Sequence, residues 1–241
     1  MVSDRFTEPA SEPMIVSHRH RFIFIKTRKT AGTSIEIALS AFCGPDDIIS
    51  PISREDEVVR RELGYPGPQH HLKTAAEYSA RDWWTRLRGE RPRRFYNHAP
   101  ASEVRALVGE EVWNSYFKFC FDRNPFDKAI SKYYWSNKRK TQPPDMNRWL
   151  QECPTYKISN WDMYSLDGEL AMDFVGRFEY LAEDLQQAFE RIGLDSPPEL
   201  PRTKVGTRKD RSHYGEVLAD ATRLRLERDC AREIELLGYN W

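Results

Sequence analysis

The feature that most constrains the fold is a short apolar run that leads, through a polar loop, into an amphipathic helix. Residues 21–25 are mostly apolar and aromatic, which is typical of a buried strand in a parallel sheet. After the loop, four apolar side chains recur at helical spacing and form one face: Ile35, Ala38, Leu39 and Phe42. Strand, polar loop and helix in this order form the basic unit of nucleotide-binding α/β folds, so the sequence predicts an α/β domain.

Two further strand–helix units follow along the chain. Residues 116–121 are rich in aromatic side chains and predict a strand. Asn124 and Pro125 then favour a helix start, and the helix is expected to run to Asn137. Residues 174–178 predict a short strand before an amphipathic helix that ends near Gly193. A last helix is expected from about Tyr214 to Gly238. The sequence thus predicts a central parallel sheet flanked by helices.

The chain of 241 residues is expected to form one domain. Residues 1–20 are interpreted as a flexible tail and residues 21–241 as the domain. Residues 45–95 are interpreted as a variable insertion of short helices and loops on the acceptor side. The first residues are polar and acidic, unlike a secretory signal, and no apolar stretch is long enough to span a membrane. We therefore expect a cytoplasmic protein.

Charge and cysteine content argue against nucleic-acid binding by overall charge, a zinc cluster and a disulfide-rich fold. The 37 basic residues balance the 37 acidic ones, so no overall field attracts nucleic acid or anionic membranes. Any anion site must therefore be local. The four cysteines form no closely spaced pair, and neither a zinc cluster nor a disulfide framework is expected.

The loop of residues 27–34 is the first candidate anion site. Backbone N–H groups and the helix dipole favour an anion at a helix start, Gly32 permits close approach, and Lys29 adds a mobile positive charge. The loop is not a Walker A motif, because its lysine precedes the glycine. The alternative interpretation is an ordinary capped helix start after a polar turn.

The second candidate element is the segment from Arg123 to Ser131. Arg123 follows the second strand, and Ser131 lies about two turns into the next helix. A guanidinium with a nearby hydroxyl suits a terminal phosphate. A surface arginine and a helix-face serine are the alternative interpretation.

Together the two elements resemble the sulfotransferase superfamily, in particular the carbohydrate sulfotransferases that include the heparan 2-O and chondroitin 4-O enzymes. The loop keeps the family's Lys-Thr-Ala-Gly-Thr-Ser pattern, with Arg28 where proline is frequent, and the second segment has Lys128 where arginine is common. Residues 175–184 and the end of the last helix are also similar to that family. The resemblance covers about 21–44 and 95–241.

The resemblance implies a P-loop-NTPase-like three-layer fold and a donor, 3′-phosphoadenosine-5′-phosphosulfate (PAPS), bound without a metal. In that family the loop binds the 5′-phosphosulfate, the Arg and Ser pair binds the 3′-phosphate, and a later basic loop covers the nucleotide. The implied donor-binding residues are Arg28, Lys29, Thr30, Ala31, Gly32, Thr33, Ser34, Arg123, Ser131, Arg208, Lys209 and Arg211.

Two residues are the candidates for catalysis. Lys29 would stabilise charge on the leaving phosphate, and His98 would take the proton of the attacking hydroxyl, a role that the resemblance also implies. His70 and His71 are rival bases, and with Arg94 they are candidates for acceptor contact. A helix-entry histidine bonded to the backbone is the alternative for His98.

Three functional hypotheses follow. The first is sulfuryl transfer from PAPS to an acceptor hydroxyl, with a carbohydrate favoured by the branch resembled. The second is a nucleotide-dependent kinase on a related fold, which the missing Walker lysine position disfavours. The third is a non-catalytic module that binds nucleotide or glycan.

Overall fold

The computed structural model describes residues 14–94, 99–201 and 212–241. Its centre is a five-stranded sheet with strand order β3-β1-β2-β4-β7. A separate hairpin consists of β5 and β6. The strands are β1 (Ile15–Ser17), β2 (Phe22–Phe24), β3 (Ile48–Ile49), β4 (Phe117–Asp122), β5 (Ser165–Leu166), β6 (Glu169–Leu170) and β7 (Phe174–Arg177). Strands β2, β4 and β7 run parallel, while β1 is antiparallel to both of its neighbours.

Helices cover both faces of this sheet. The helices of the described ranges are α1 (Gly32–Ser40), α2 (Arg54–Glu62), α3 (Ala80–Leu87), α4 (Ala101–Val108), α5 (Glu110–Ser115), α6 (Pro125–Asn137), α7 (Met146–Glu152), α8 (Trp161–Tyr164), α9 (Leu181–Arg191), α10 (Tyr214–Val217), α11 (Asp220–Asp229) and α12 (Ala231–Leu237). The final segment, expected as one helix from about Tyr214, is divided into α10, α11 and α12.

Successive side chains of the strands point to opposite faces of the sheet and pack against the helices on each face. Phe22, Phe24 and Phe119 face one side and pack with residues of α1 and α9. Ile23 and Cys120 face the other side and pack with α4, α5 and α8. This period of two is the property of a strand buried on both faces. The predicted α/β fold with helices on both sides of a largely parallel sheet is confirmed.

The predicted tail boundary is wrong for residues 14–20. Ile15–Ser17 form β1, whose side chains are buried and whose backbone pairs with β2 and β3. Asp47 then holds the following turn, because its Oδ1 accepts from the N–H groups of His18 and Arg19 at 2.6 and 3.0 Å. The partners of this short strand are distant in sequence, so no local pattern marks it. Residues 1–13 lie outside the described residues.

Residues 45–95 form short helices and loops, yet their beginning belongs to the core. Strand β3 extends the central sheet, and α2 carries the fully buried Arg60. The Arg60 Nη2 lies 2.9 Å from Oε1 of Glu36 on α1, and Lys26 Nζ lies 3.7 Å from Oε2 of the same carboxylate. A buried cluster of three charges thus attaches α2 to the helix that follows the loop.

Burial raises the pKa of Glu36 from 4.5 to about 7, although Lys26 and Arg60 oppose the rise. The native state therefore binds this proton more tightly than the unfolded state, so the stability due to the protonated carboxyl is complete below pH 4.5 and is lost as the pH rises through about 7.

We expect the free energy of unfolding of the wild type, relative to Glu36→Gln, to fall by about 3 kcal/mol over that pH range. Urea unfolding at several pH values measures this difference. The exposed Glu62→Gln on α2 is the control and should leave the pH dependence unchanged. Parallel pH curves for the wild type and Glu36→Gln would contradict the prediction.

Candidate functional site

The loop after β2 has a backbone suited to an anion. Lys29 and Ala31 both adopt left-handed backbone conformations, with φ of 65° and 57°. Ala31 is also the N-cap of α1 and supplies no side-chain cap to the first N–H groups of the helix. Left-handed residues in such loops turn backbone N–H groups into a concave donor surface, and a helix start adds its dipole. The loop therefore fits a phosphate or a sulfate.

Gly32 is required by close packing against a buried lysine. A Cβ atom at this position would lie 2.5 Å from Cγ of Lys26. The Lys26 ammonium donates to Thr33 Oγ1 at 2.8 Å, while Glu36 lies beyond it at 3.7 Å. Lys26 thus supports the loop from beneath, a role that no sequence motif indicates.

The threonines of the loop fix its shape. The hydroxyls of Thr27 and Thr30 lie 2.9 Å apart, and Thr27 also donates to the carbonyl of Phe121 on β4. Both residues are almost completely buried. The hydroxyl of Thr30, expected among the phosphate donors, therefore holds the loop from the inside.

Arg123 brings the second predicted element to the loop. It follows β4 directly, and its Nη1 donates to the carbonyl of Lys29 at 3.3 Å. Its Nε donates to Asp127 at 2.7 Å, and its guanidinium lies 4.2 Å from the ring centroid of Phe178. The carboxyl ends of β2 and β4 are adjacent, so the two elements form one candidate site.

Helix α6 carries Ser131, the second residue of the Arg123 element, and Trp135. Ser131 is half-buried on α6, and Trp135 lies one turn later on the same face. The Lys29 ammonium is 4.6 Å from the ring centroid of Trp135, and the Lys138 ammonium contacts the same ring at 3.4 Å. Trp135 was not predicted, and it places the side chain of Lys29 over α6.

A buried asparagine also holds the loop, through the backbone of Arg28. Asn160 is fully buried; its Oδ1 accepts from the Arg28 N–H, and its Nδ2 donates to the Arg28 carbonyl, both at 3.1 Å. Its Nδ2 also donates to Asp122 Oδ1 at 2.9 Å. Because a proline has no N–H, Arg28 supplies a hydrogen bond that the family's frequent proline cannot.

Asp122 is the centre of a buried polar network. Lys128 Nζ donates to its Oδ1 at 2.8 Å, and Tyr164 donates to its Oδ2 at 2.9 Å. Burial alone would lower the pKa of Lys128, but Asp122 and Glu233 outweigh burial, and the pKa is raised. Burial and then the charge of Asp122 raise the pKa of Tyr164, which keeps its proton. Lys128 is therefore a permanent buried cation beneath the site.

The rival histidines and Arg94 make contacts in the segment 45–95 and with α4. A ring nitrogen of His70 lies 2.8 Å from the Pro45 carbonyl, and Arg94 donates to the Leu107 carbonyl at 3.0 Å. His71 is half-buried, and its Nδ1 has no partner within the described ranges. Burial, followed by the charges of Arg93 and His70, lowers the pKa of His71, so its ring is neutral near pH 7.

Four expected site residues lie outside the described residues: His98, Arg208, Lys209 and Arg211. Across residues 14–94, 99–201 and 212–241, no His, Cys, Asp or Glu side chains cluster in a group of three or more that could hold a metal ion. No helix in these ranges is both long and apolar enough to cross a bilayer. The four cysteines are buried free thiols.

Comparison with known proteins agrees with this geometry. The profile of the Sulfotransferase family matches residues 12–240, so the chain belongs to that family, whose members are transferases. An uncharacterised protein of Archaeoglobus fulgidus is 29% identical over 123 residues, which cover 49% of this chain and 99% of the archaeal protein. The function of that relative is not established and adds nothing about the acceptor.

Replacing Asn160 by Ala should loosen the loop. The change removes three side-chain hydrogen bonds, of which the one to Asp122 is buried, and should lower the free energy of unfolding by about 1–3 kcal/mol. It should also accelerate hydrogen exchange in residues 27–33, measured by mass spectrometry.

Asn147→Ala is the matched control, because Asn147 also links two backbone groups, the Val217 carbonyl at 3.1 Å and the Ala219 N–H at 2.9 Å. It should destabilise the protein without changing exchange in the loop. Equal exchange of the loop in both variants would show that Asn160 does not support it.

Proposed function

We propose that the protein transfers a sulfuryl group from PAPS to an acceptor hydroxyl on a carbohydrate or glycoconjugate. The observation that carries this proposal is the 3.3 Å hydrogen bond from Arg123 to the Lys29 carbonyl. It joins the candidate anion-binding loop to a second cationic element, an arrangement that suits a donor with phosphate groups at both its 5′ and 3′ ends. Membership of the Sulfotransferase family supports the same chemistry.

The donor would be held by two groups of residues. The loop backbone from Arg28 to Ser34, together with its Thr33 and Ser34 hydroxyls, would bind the 5′-phosphosulfate. Arg123 and Ser131 would bind the 3′-phosphate. In the proposal, Arg208, Lys209 and Arg211 close over the bound nucleotide. Arg123 is already oriented by Asp127, with Nε and Oδ2 at 2.7 Å, so little of its freedom is lost on binding.

The reaction in this proposal is an in-line displacement at sulfur. The acceptor oxygen forms a bond to sulfur while the bond from sulfur to the bridging phosphate oxygen breaks. The electron pair of the broken bond goes to the 5′-phosphate, where Lys29 stabilises it, and the hydroxyl proton goes to His98. Alignment and charge stabilisation supply the acceleration, as in phosphoryl transfer.

Lys29→Ala should lower the rate of transfer by about 10²–10³-fold, because the leaving phosphate loses its stabilising cation. Affinity for the product nucleotide, 3′-phosphoadenosine-5′-phosphate, should change by less than about tenfold, because the backbone donors remain. Transfer of radiolabelled sulfate and calorimetric titration of the product nucleotide measure the two quantities.

Lys138→Ala is the control, since Lys138 contacts the same indole as Lys29 at 3.4 Å. Its rate should stay close to that of the wild type. Undiminished transfer by Lys29→Ala would refute the assigned role.

His98→Asn should lower the rate of transfer by about 10²-fold or more, because the attacking hydroxyl loses its base. His71→Asn is the paired variant, since the lowered pKa of His71 also leaves a neutral ring. A greater loss in His71→Asn would assign the base to the other histidine.

The same assays separate the two alternatives. A kinase would require ATP and magnesium and would transfer no sulfate. A non-catalytic module would bind the product nucleotide without turnover on pooled glycans, glycolipids and small alcohols. Sulfate transfer from PAPS with chelator present would exclude both.

A further inference from the structure

Helix α3 presents its apolar stripe to solvent rather than to the core. Trp83, Trp84 and Leu87 lie together at helical spacing and are 52, 67 and 79% exposed. None of the residues of α3 is buried. Soluble proteins rarely expose such a contiguous apolar surface without a partner for it.

The helix is held in place by polar contacts at its start. Ser79 and Asp82 form a capping box, and Lys73 Nζ lies 2.8 Å from Asp82 Oδ2. Trp83 contacts the ring of Tyr78 edge-on at 5.2 Å. Only the edge of Trp83 is used in holding the helix, so Trp84, Leu87 and about half of Trp83 face solvent.

Exposed arginines lie on α3 and in the chain that follows it. They are Arg81, Arg86, Arg88, Arg91 and Arg93. Two of the nearby acidic side chains are paired with other basic residues, Asp82 with Lys73 and Glu77 with Arg94. Residues 80–94 carry six arginines against Asp82 and Glu90, so this segment is locally basic on a chain with no net charge.

We propose that α3 docks on an anionic lipid bilayer, with Trp83, Trp84 and Leu87 inserted among the headgroups and the arginines on the lipid phosphates. Helices that lie in a membrane interface are typically rich in tryptophan and leucine on one face and in basic residues beside it. An acidic polysaccharide would pair with the arginines and stack on the tryptophans, but it offers no apolar environment for Leu87. The most exposed apolar side chain of α3 therefore favours lipid.

The test measures binding of the full chain to vesicles of phosphatidylcholine, alone or mixed with phosphatidylglycerol, by co-sedimentation. Binding to the mixed vesicles should be at least about tenfold tighter and should weaken with salt. Leu87→Ser and the double variant Arg86→Gln with Arg88→Gln should each weaken it by about tenfold. Circular dichroism should show unchanged melting, since the three side chains are exposed.

Two variants at comparable exposed positions are the controls. Leu224 on α11 is 60% exposed, and the side chain of Arg148 on α7 is 80% exposed. Leu224→Ser and Arg148→Gln should leave vesicle binding unchanged. Sulfate transfer to a soluble acceptor should also be unchanged in Leu87→Ser, so this test is independent of the proposed reaction.

Two results would overturn the proposal. One is binding to heparin, used as a soluble acidic polysaccharide, that depends on the arginines but not on Leu87, with no binding to vesicles. The other is self-association in sedimentation velocity that Leu87→Ser abolishes, again without vesicle binding. The first would assign the surface to a glycan, and the second to another copy of the chain.

Discussion

The buried carboxylate of Asp122 is the interaction on which the site depends. It ends β4 with no exposure to solvent, and its two oxygens accept from Lys128, Asn160 and Tyr164 at 2.8–2.9 Å. Burying an ion without partners costs several kcal/mol of folding free energy. The fold therefore requires these donors. Through Asn160 the same carboxylate reaches the backbone of Arg28. The network therefore links the loop to α6 and α8.

A second cluster of buried charge supports the other end of the loop, at Gly32 and Thr33. Lys26 lies beneath Gly32, donates to Thr33 and faces Glu36, while Arg60 of α2 completes the cluster. Oε2 of Glu36 has no hydrogen-bond partner among the described residues. The loop thus lies between two buried networks, and its left-handed residues are held by surrounding structure. Backbone donors fixed in this way need little reorganisation when an anion binds.

The parts of the fold with strong local signals could be predicted from the sequence. Asn124 caps α6 by accepting from the Phe126 N–H at 3.0 Å, as the Asn-Pro pair indicated. Strands β1 and β3 could not be predicted, because three and two residues carry no usable periodicity and their pairing is non-local. The last helix was expected to be continuous, but the chain is extended at Leu218 and Ala219 before α11 begins.

The same distinction applies to the site. That Arg123 meets the loop follows from two parallel strands ending at one edge of a sheet, which the motifs already implied. Asn160 was not predicted, since it lies in an irregular stretch where only tertiary contact gives it a role. Trp135 was also missed, because an aromatic residue on a helix face is most often part of a core.

The backbone and the side chain of Lys29 are held by different partners. Arg123 holds its carbonyl at 3.3 Å, and the left-handed φ of 65° sets the direction in which the side chain leaves the loop. The ammonium lies on the Trp135 ring, an attraction of about 0.5–2 kcal/mol. A phosphate oxygen that gains charge in a reaction attracts the same cation more strongly than the ring does, since charge–charge attraction exceeds charge–quadrupole attraction at equal distance. In the proposed reaction, the indole would therefore hold the lysine beside the loop and release it to the stronger attraction of the developing negative charge.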